Sequence, residues 1–179
     1  MNLPNKLTIA RVIAVPVFVL LYMTELYIPA FAVFILASIT DLLDGKIARK
    51  YNLVTNFGKI MDPLADKVLV YSAFCLMIED QTIPGWMLIV ILAREFTVAG
   101  MRTVAAADGI VVAAAMSGKI KTVLQMIAVP FLLAIPVFAN TVFASPVYYG
   151  AYIFLWASMV MTVYSGFEYI LKNKSVFSF

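Results

Sequence analysis

Six apolar stretches, each close to the length that crosses a bilayer as an α-helix, leave this chain little choice of fold. They run approximately from Leu7 to Thr24, Ile28 to Arg49, Pro63 to Ile78, Pro84 to Val104, Gly118 to Phe138, and Pro146 to Leu171. About 20 residues cover a hydrocarbon core of roughly 30 Å. Composition agrees: 64% of the 179 residues are hydrophobic and 13% charged, against roughly 45–50% and about 25% in soluble domains. The expectation is an all-α integral membrane protein, a bundle of six transmembrane helices forming one domain over residues 1–179.

Helix punctuation supports these limits. Pro29, Pro63, Pro84 and Pro146 stand where a first helical turn tolerates proline, and Asp62 before Pro63 reads as an N-cap. Pro16, Pro130 and Pro136 fall inside spans and predict kinks. The stretch from Ala105 to Ala115, broken by Asp108-Gly109, reads as a loop or a short interfacial helix. The first apolar stretch runs on into further spans without a small-residue cleavage site, unlike a removable signal peptide. Cys75 is the single cysteine and provides no disulfide framework.

Charge sets the expected orientation. The loops near Glu25, near Glu79-Asp80-Gln81 and around Asn140-Thr141 share one side and hold no Lys or Arg, while all 13 basic residues fall toward the other. By the positive-inside rule that other side is the cytoplasm, with both termini there. A net charge of +3 is too small to suggest nucleic acid.

Against this apolar background, four aspartates between positions 41 and 66 form the candidate site. The run reads Asp41-Leu42-Leu43-Asp44-Gly45-Lys46-Ile47-Ala48-Arg49, then Gly58, Asp62 and Asp66. Each ionisable group at membrane depth costs roughly 2.5–3.5 kcal/mol on insertion scales, so a cluster there marks function. Four carboxylates repel one another unless a cation sits between them. With no histidine and one thiol in the chain, that cation is a hard, oxygen-liganded one, Mg2+ or Mn2+, not zinc or iron.

Spacing explains how the carboxylates converge. Asp41 and Asp44 are three apart and share a helical face that Ala48 continues; Asp62 and Asp66 are four apart and share another. A loop of about a dozen residues then lets the two helices pack antiparallel at their cytoplasmic ends. Such a set could hold two metal ions about 3.5–4 Å apart, the arrangement that serves phosphoryl transfer. Gly45 leaves room for a ligand near the backbone, Ala48 keeps the next turn low, and Arg49 offers a bidentate fork to phosphate. Read singly, Asp62 is an ordinary cap, Gly58 an ordinary loop glycine, and Asp41 and Asp44 partners for Lys46 and Arg49. Asp66, a full turn inside an apolar helix beside Lys67, resists such a reading.

The pattern Asp41-x2-Asp44-Gly45-x2-Ala48-Arg49-x8-Gly58-x3-Asp62-x3-Asp66 resembles the signature of the CDP-alcohol phosphotransferases, matched at every position without a gap. The resemblance implies a six-helix membrane enzyme, usually a homodimer. Such an enzyme transfers a phosphatidyl or related group from a CDP-alcohol to an acceptor hydroxyl and releases CMP. It implies metal binding by Asp41, Asp44, Asp62 and Asp66, with Asp66 also the general base. It also implies a CDP-diacylglycerol site built from Asp41, Asp44, Gly45, Ala48, Arg49 and Gly58.

Three further runs narrow the acceptor. Asn2-Leu3-Pro4-Asn5-Lys6-Leu7-Thr8 with Arg11, Ala93-Arg94-Glu95-Phe96 with Gly100 and Arg102, and Gly118-Lys119-x-Lys121-Thr122 with Gln125 resemble the bacterial branch of the family that makes phosphatidylglycerol phosphate. That branch implies glycerol 3-phosphate as acceptor and the bacterial inner membrane as location, with the active site facing the cytoplasm. The residues agree with an anionic acceptor, because Arg94, Arg102, Lys119 and Lys121 gather toward the cytoplasmic side. Glu95 beside Arg94 suggests an internal ion pair, which ranks Arg102, Lys119 and Lys121 above Arg94. The last span, with Tyr164, Glu168 and Tyr169, offers no motif. Two rivals remain: a sister transferase taking inositol phosphate, serine or phosphatidylglycerol, and a cation-coupled transporter. The transporter class usually has midplane charges and often repeated halves, neither of which the sequence shows.

Overall fold

The computed structural model describes residues 3–50, 55–110, 112, 113 and 115–174; for residues 3, 4, 41–50, 56, 57, 59, 60 and 63 the description is of the backbone alone. The described chain is all helical: α1 (Leu3–Met23), α2 (Tyr27–Lys50), α3 (Asn56–Glu79), α4 (Gly85–Ala107), α5 (Met116–Phe138) and α6 (Ala144–Lys172). Among the described residues, Asn5–Met23, Met116–Phe138 and Ala144–Lys172 are long and apolar enough to cross a membrane, and Tyr27–Thr40 is a shorter apolar helix. These are the helices of a membrane protein. α1 continues through Pro16 and α5 through Pro130 and Pro136.

The start of α3 corrects the sequence reading. Asp62 is not an N-cap, because the helix begins at Asn56 and Pro63 lies in its interior. Thr55 is the cap instead. Its backbone is extended and its hydroxyl accepts from the Gly58 amide at 3.0 Å, satisfying one of the donors a helix start leaves open. α3 therefore starts six positions before the residue read as its cap. The ambiguous stretch after Val104 also resolves. Gly109, at φ +73°, ends α4 while its amide bonds Ala106 and that of Ile110 bonds Ala105, a Schellman closure. Residues 112 and 113 carry no helix.

The same closure ends α1 and α3 with side-chain-bearing residues at the left-handed position, Glu25 and Gln81, each at φ 59°. Leu26 bonds back to Leu21 and Thr82 to Met77.

Contacts divide the chain into two compact units, Met1–Thr82 with Leu133–Ala144, and Ile83–Leu132 with Ser145–Phe179. In the first, α1 packs against both α2 and α3. Its buried stripe is Thr8, Arg11, Val15, Phe18 and Tyr22, stepping by three and four as one helical face must. Phe18 meets Phe34 of α2 with ring centroids 5.6 Å apart. At the far end the Tyr22 hydroxyl donates to Asp80 Oδ2 at 2.7 Å.

In the second unit α6 supplies a buried stripe that includes Ala151, Leu155, Ser158, Thr162, Ser165 and Tyr169. Its hydroxyls are satisfied along the helix: Ser158 donates to Leu155 O and Thr162 to Ser158 O, both at 2.7 Å. Gly150 lets α6 approach α5, since a Cβ there would stand 3.0 Å from the Phe131 ring. Trp86 of α4 and Trp156 pack at 6.0 Å.

Candidate active site

The first unit carries the aspartate region. Asp62 and Asp66 lie one turn apart on α3 and are both partly buried. Asp62 Oδ1 accepts from the Thr8 hydroxyl at 2.5 Å, so α1 fixes the orientation of the carboxylate. That leaves Oδ2, which lies 3.4 Å from the place a Cβ would take on Gly58; Thr55 Oγ1 is 3.4 Å and Asn5 Oδ1 3.6 Å from the same point. Thr55 donates to Asn5 Oδ1 at 2.9 Å. Gly58 is therefore no ordinary loop glycine: it sits inside α3 under three side-chain oxygens, where the missing methyl keeps their approach open.

The backbone of Asp41, Asp44, Gly45, Ala48 and Arg49 belongs to the last turns of α2. Their side chains lie outside the described residues, and among the described residues no three potential metal ligands meet. The donors that are described, the Asp62 and Asp66 carboxylates with neighbouring hydroxyl and amide oxygens, are all hard oxygens. They fit Mg2+ or Mn2+ and not a thiophilic metal.

The second unit carries the cationic cluster. Glu95 Oε1 accepts from Arg94 Nη1 and from Lys121 Nζ, each at 2.8 Å, with side chains 4–13% exposed. Arg94 also donates through Nε to Ser165 Oγ at 3.1 Å. It threads between two glycines, since a Cβ on Gly118 would lie 2.9 Å from its Nη2 and one on Gly166 3.2 Å from its Cγ. Arg94 is thereby locked among α4, α5 and α6. Arg102, exposed, donates Nε to the Tyr169 hydroxyl at 3.1 Å and lies over its ring at 5.6 Å, a cation–π contact. Lys119 is exposed.

This geometry separates residues that the sequence reading grouped. Glu95 pairs with Lys121 as well as with Arg94, so the internal ion pair does not by itself set Arg94 apart, and Lys121 is a buried, positioned ammonium. The last helix, which offered no motif, supplies Ser165 to Arg94 and Tyr169 to Arg102. Its one readable signal was the step from Ser158 to Thr162 to Ser165 to Tyr169, a polar stripe on one face of an apolar helix.

The described residues thus offer an oxygen-rich helical turn in the first unit, a cationic cluster in the second, and long apolar helices in both. Comparison with known proteins is consistent: residues 1–164 match the CDP-alcohol phosphatidyltransferase family, and the chain belongs to that family. It is 44% identical to a CDP-diacylglycerol--glycerol-3-phosphate 3-phosphatidyltransferase of Bacillus subtilis, covering 96% of this chain and 95% of that one. A protein of the same name from Rickettsia bellii is 39% identical over 98% and 97% of the two chains. A probable phosphatidylglycerophosphate synthase of Mycobacterium tuberculosis is 34% identical over 96% and 81%.

Proposed function

We propose that this chain transfers the phosphatidyl group of CDP-diacylglycerol to glycerol 3-phosphate, giving phosphatidylglycerol phosphate and CMP. The observation that carries the reading is near-end-to-end similarity to relatives named for this reaction. It stands beside a cluster of cations suited to an acceptor that is itself a phosphate.

In this reading Asp41, Asp44, Asp62 and Asp66 hold two Mg2+ or Mn2+ ions. When bound, the ions would neutralise the pyrophosphate and stabilise the departing CMP. Thr8 keeps Asp62 in place, so the carboxylate need not be reoriented in each turnover. Gly45, Ala48 and Gly58 leave space for the CDP moiety, and Arg49 pairs with its phosphate. Asp66 takes the proton from the primary hydroxyl of glycerol 3-phosphate as that oxygen attacks the lipid-side phosphorus. The bond from that phosphorus to the CMP oxygen breaks. Arg102, Lys119 and Lys121 receive the acceptor phosphate, with Arg94 ranked behind them.

The test is CMP release by the purified protein with Mg2+, CDP-diacylglycerol and one candidate acceptor at a time. Release dependent on glycerol 3-phosphate is expected. Release with inositol phosphate, serine or phosphatidylglycerol instead would assign a sister reaction, and none with any acceptor would overturn the proposed reaction.

The placement we propose is a homodimer in the bacterial inner membrane, each chain a single domain of six spans with both termini and the active site on the cytoplasmic side. The one-sided distribution of Lys and Arg supports it. In a Cys75-free background, single cysteines near Glu25 and Asp80 should label from outside and those at Asn56 and Asn173 only after permeabilisation. External labelling at Asn56 would overturn the six-span arrangement.

A further inference from the structure

Among the described residues of the second unit, three buried polar atoms that the proposed reaction does not use have no hydrogen-bond partner: Ser117 Oγ, Gln125 Nε2 and Glu168 Oε2. α5 turns Ser117, Lys121 and Gln125 onto one face at four-residue steps, and all three are buried, at 7%, 3% and 5% exposure. Ala128, Val129 and Leu132 continue inward and are buried and apolar, so Gln125 closes the polar stripe. Ser117 stands at the outer end of the stripe, and Lys121 is paired with Glu95. The Gln125 amide nitrogen has no acceptor among the described residues. Buried side-chain donors without partners are few in folded proteins, and each calls for an explanation.

We propose that Gln125 binds the central hydroxyl of the acceptor, the one the reaction does not consume, and so helps to select a polyol phosphate. The inference rests on the reading of glycerol 3-phosphate as acceptor. From Lys121 to Gln125 is one turn of α5, about 6 Å along the axis, a distance suited to a three-carbon polyol whose phosphate end meets Lys121. The chemistry of the two positions differs in the required sense. A phosphate asks for cations, which the stripe offers at Lys121. A hydroxyl both donates and accepts, and an amide answers both demands. A site that hydrogen-bonds a hydroxyl disfavours an analogue lacking it, because the buried amide is then left unpaired.

The experiment compares glycerol 3-phosphate with 3-hydroxypropyl phosphate, which keeps the phosphate and the primary hydroxyl but lacks the central one. CMP release is measured for the full-length parent and for Gln125→Leu and Gln125→Met. The parent should prefer glycerol 3-phosphate in kcat/KM by roughly 2- to 12-fold, the size of one neutral hydrogen bond. Both variants should lose that preference, with the glycerol 3-phosphate value falling toward that of the analogue. The ratio within one preparation does not depend on how much of the protein is folded, so poor folding cannot imitate this result. Retention of the parental ratio in both variants, or equal use of the two acceptors by the parent, would overturn the proposal. A parent inert toward glycerol 3-phosphate would instead remove the reading on which it rests.

Discussion

Asp66→Asn should stop turnover while leaving much of the binding of CDP-diacylglycerol intact. A general base alone contributes about 10²- to 10⁴-fold, and a share in holding the cations adds to that. The substitution is nearly isosteric, and Asp66 stands in the interior of α3, a helix capped independently by Thr55, so loss of the carboxylate should not unravel its start. Asp62→Asn should behave differently. The asparagine oxygen can still accept from Thr8, now at 2.5 Å from Asp62, so geometry survives while the charge is lost. Metal-dependent nucleotide binding should then weaken together with turnover, and Asp41→Asn should do the same. Thr8→Val makes the complementary change, keeping the charge and removing the donor that orients it. Its loss should be smaller, about 1.5–3 kcal/mol for a hydrogen bond to a charged group, or roughly 10- to 150-fold in kcat/KM. Parallel measurement of single-turnover CMP release and equilibrium CDP-diacylglycerol binding separates the cases. Near-parental release by Asp66→Asn would take that residue out of the chemistry.

The three long apolar helices were legible because a bilayer-length apolar run is a strong signal that local packing seldom overrides. Where the chain leaves the apolar regime the reading failed. Asn56 to Met61 contains Asn, Gly and Lys and looks like loop, and Asp62-Pro63 mimics a helix start. Thr55 decides the matter with one hydrogen bond to Gly58, and proline is then carried in the helix interior. The one-turn spacing of Asp62 and Asp66 was legible because a period of four along a helix fixes a shared face, whereas the side chains of Asp41 and Asp44 lie outside the described residues. Glu95 was only half legible. Its neighbour Arg94 suggested a local pair, but its second partner, Lys121, is 26 positions away on another helix, and no periodicity reports such a contact. The role of α6 was hidden for a similar reason: serine, threonine and tyrosine in an apolar helix bond their own backbone as readily as a distant arginine.

Lys121→Gln should raise the apparent KM for glycerol 3-phosphate by roughly 10- to 150-fold, the worth of one charge-assisted hydrogen bond, with the KM for CDP-diacylglycerol nearly unchanged. The structure orders the other cations behind it. Lys121 is 3% exposed and held by Glu95, so its ammonium is positioned in a poorly hydrated site where a phosphate contact counts most. Arg102 is exposed and anchored by Tyr169 through Nε and its guanidinium face, which leaves its terminal nitrogens to meet an anion; Arg102→Gln should cost about tenfold. Lys119 is exposed, and Lys119→Gln should cost no more than about fivefold, as exposed ion pairs do. Glu95→Gln supplies the control on positioning. It removes the carboxylate charge that pairs with both Arg94 and Lys121, which weakens the hold on the Lys121 ammonium and costs stability in a little-hydrated site. KM for the acceptor should then rise together with a fall in thermal stability, whereas Lys121→Gln alone shifts KM more than it shifts stability. If all three cation variants keep the parental KM, or if Lys119→Gln has the largest effect, the cluster is a topology anchor and the acceptor phosphate is bound elsewhere.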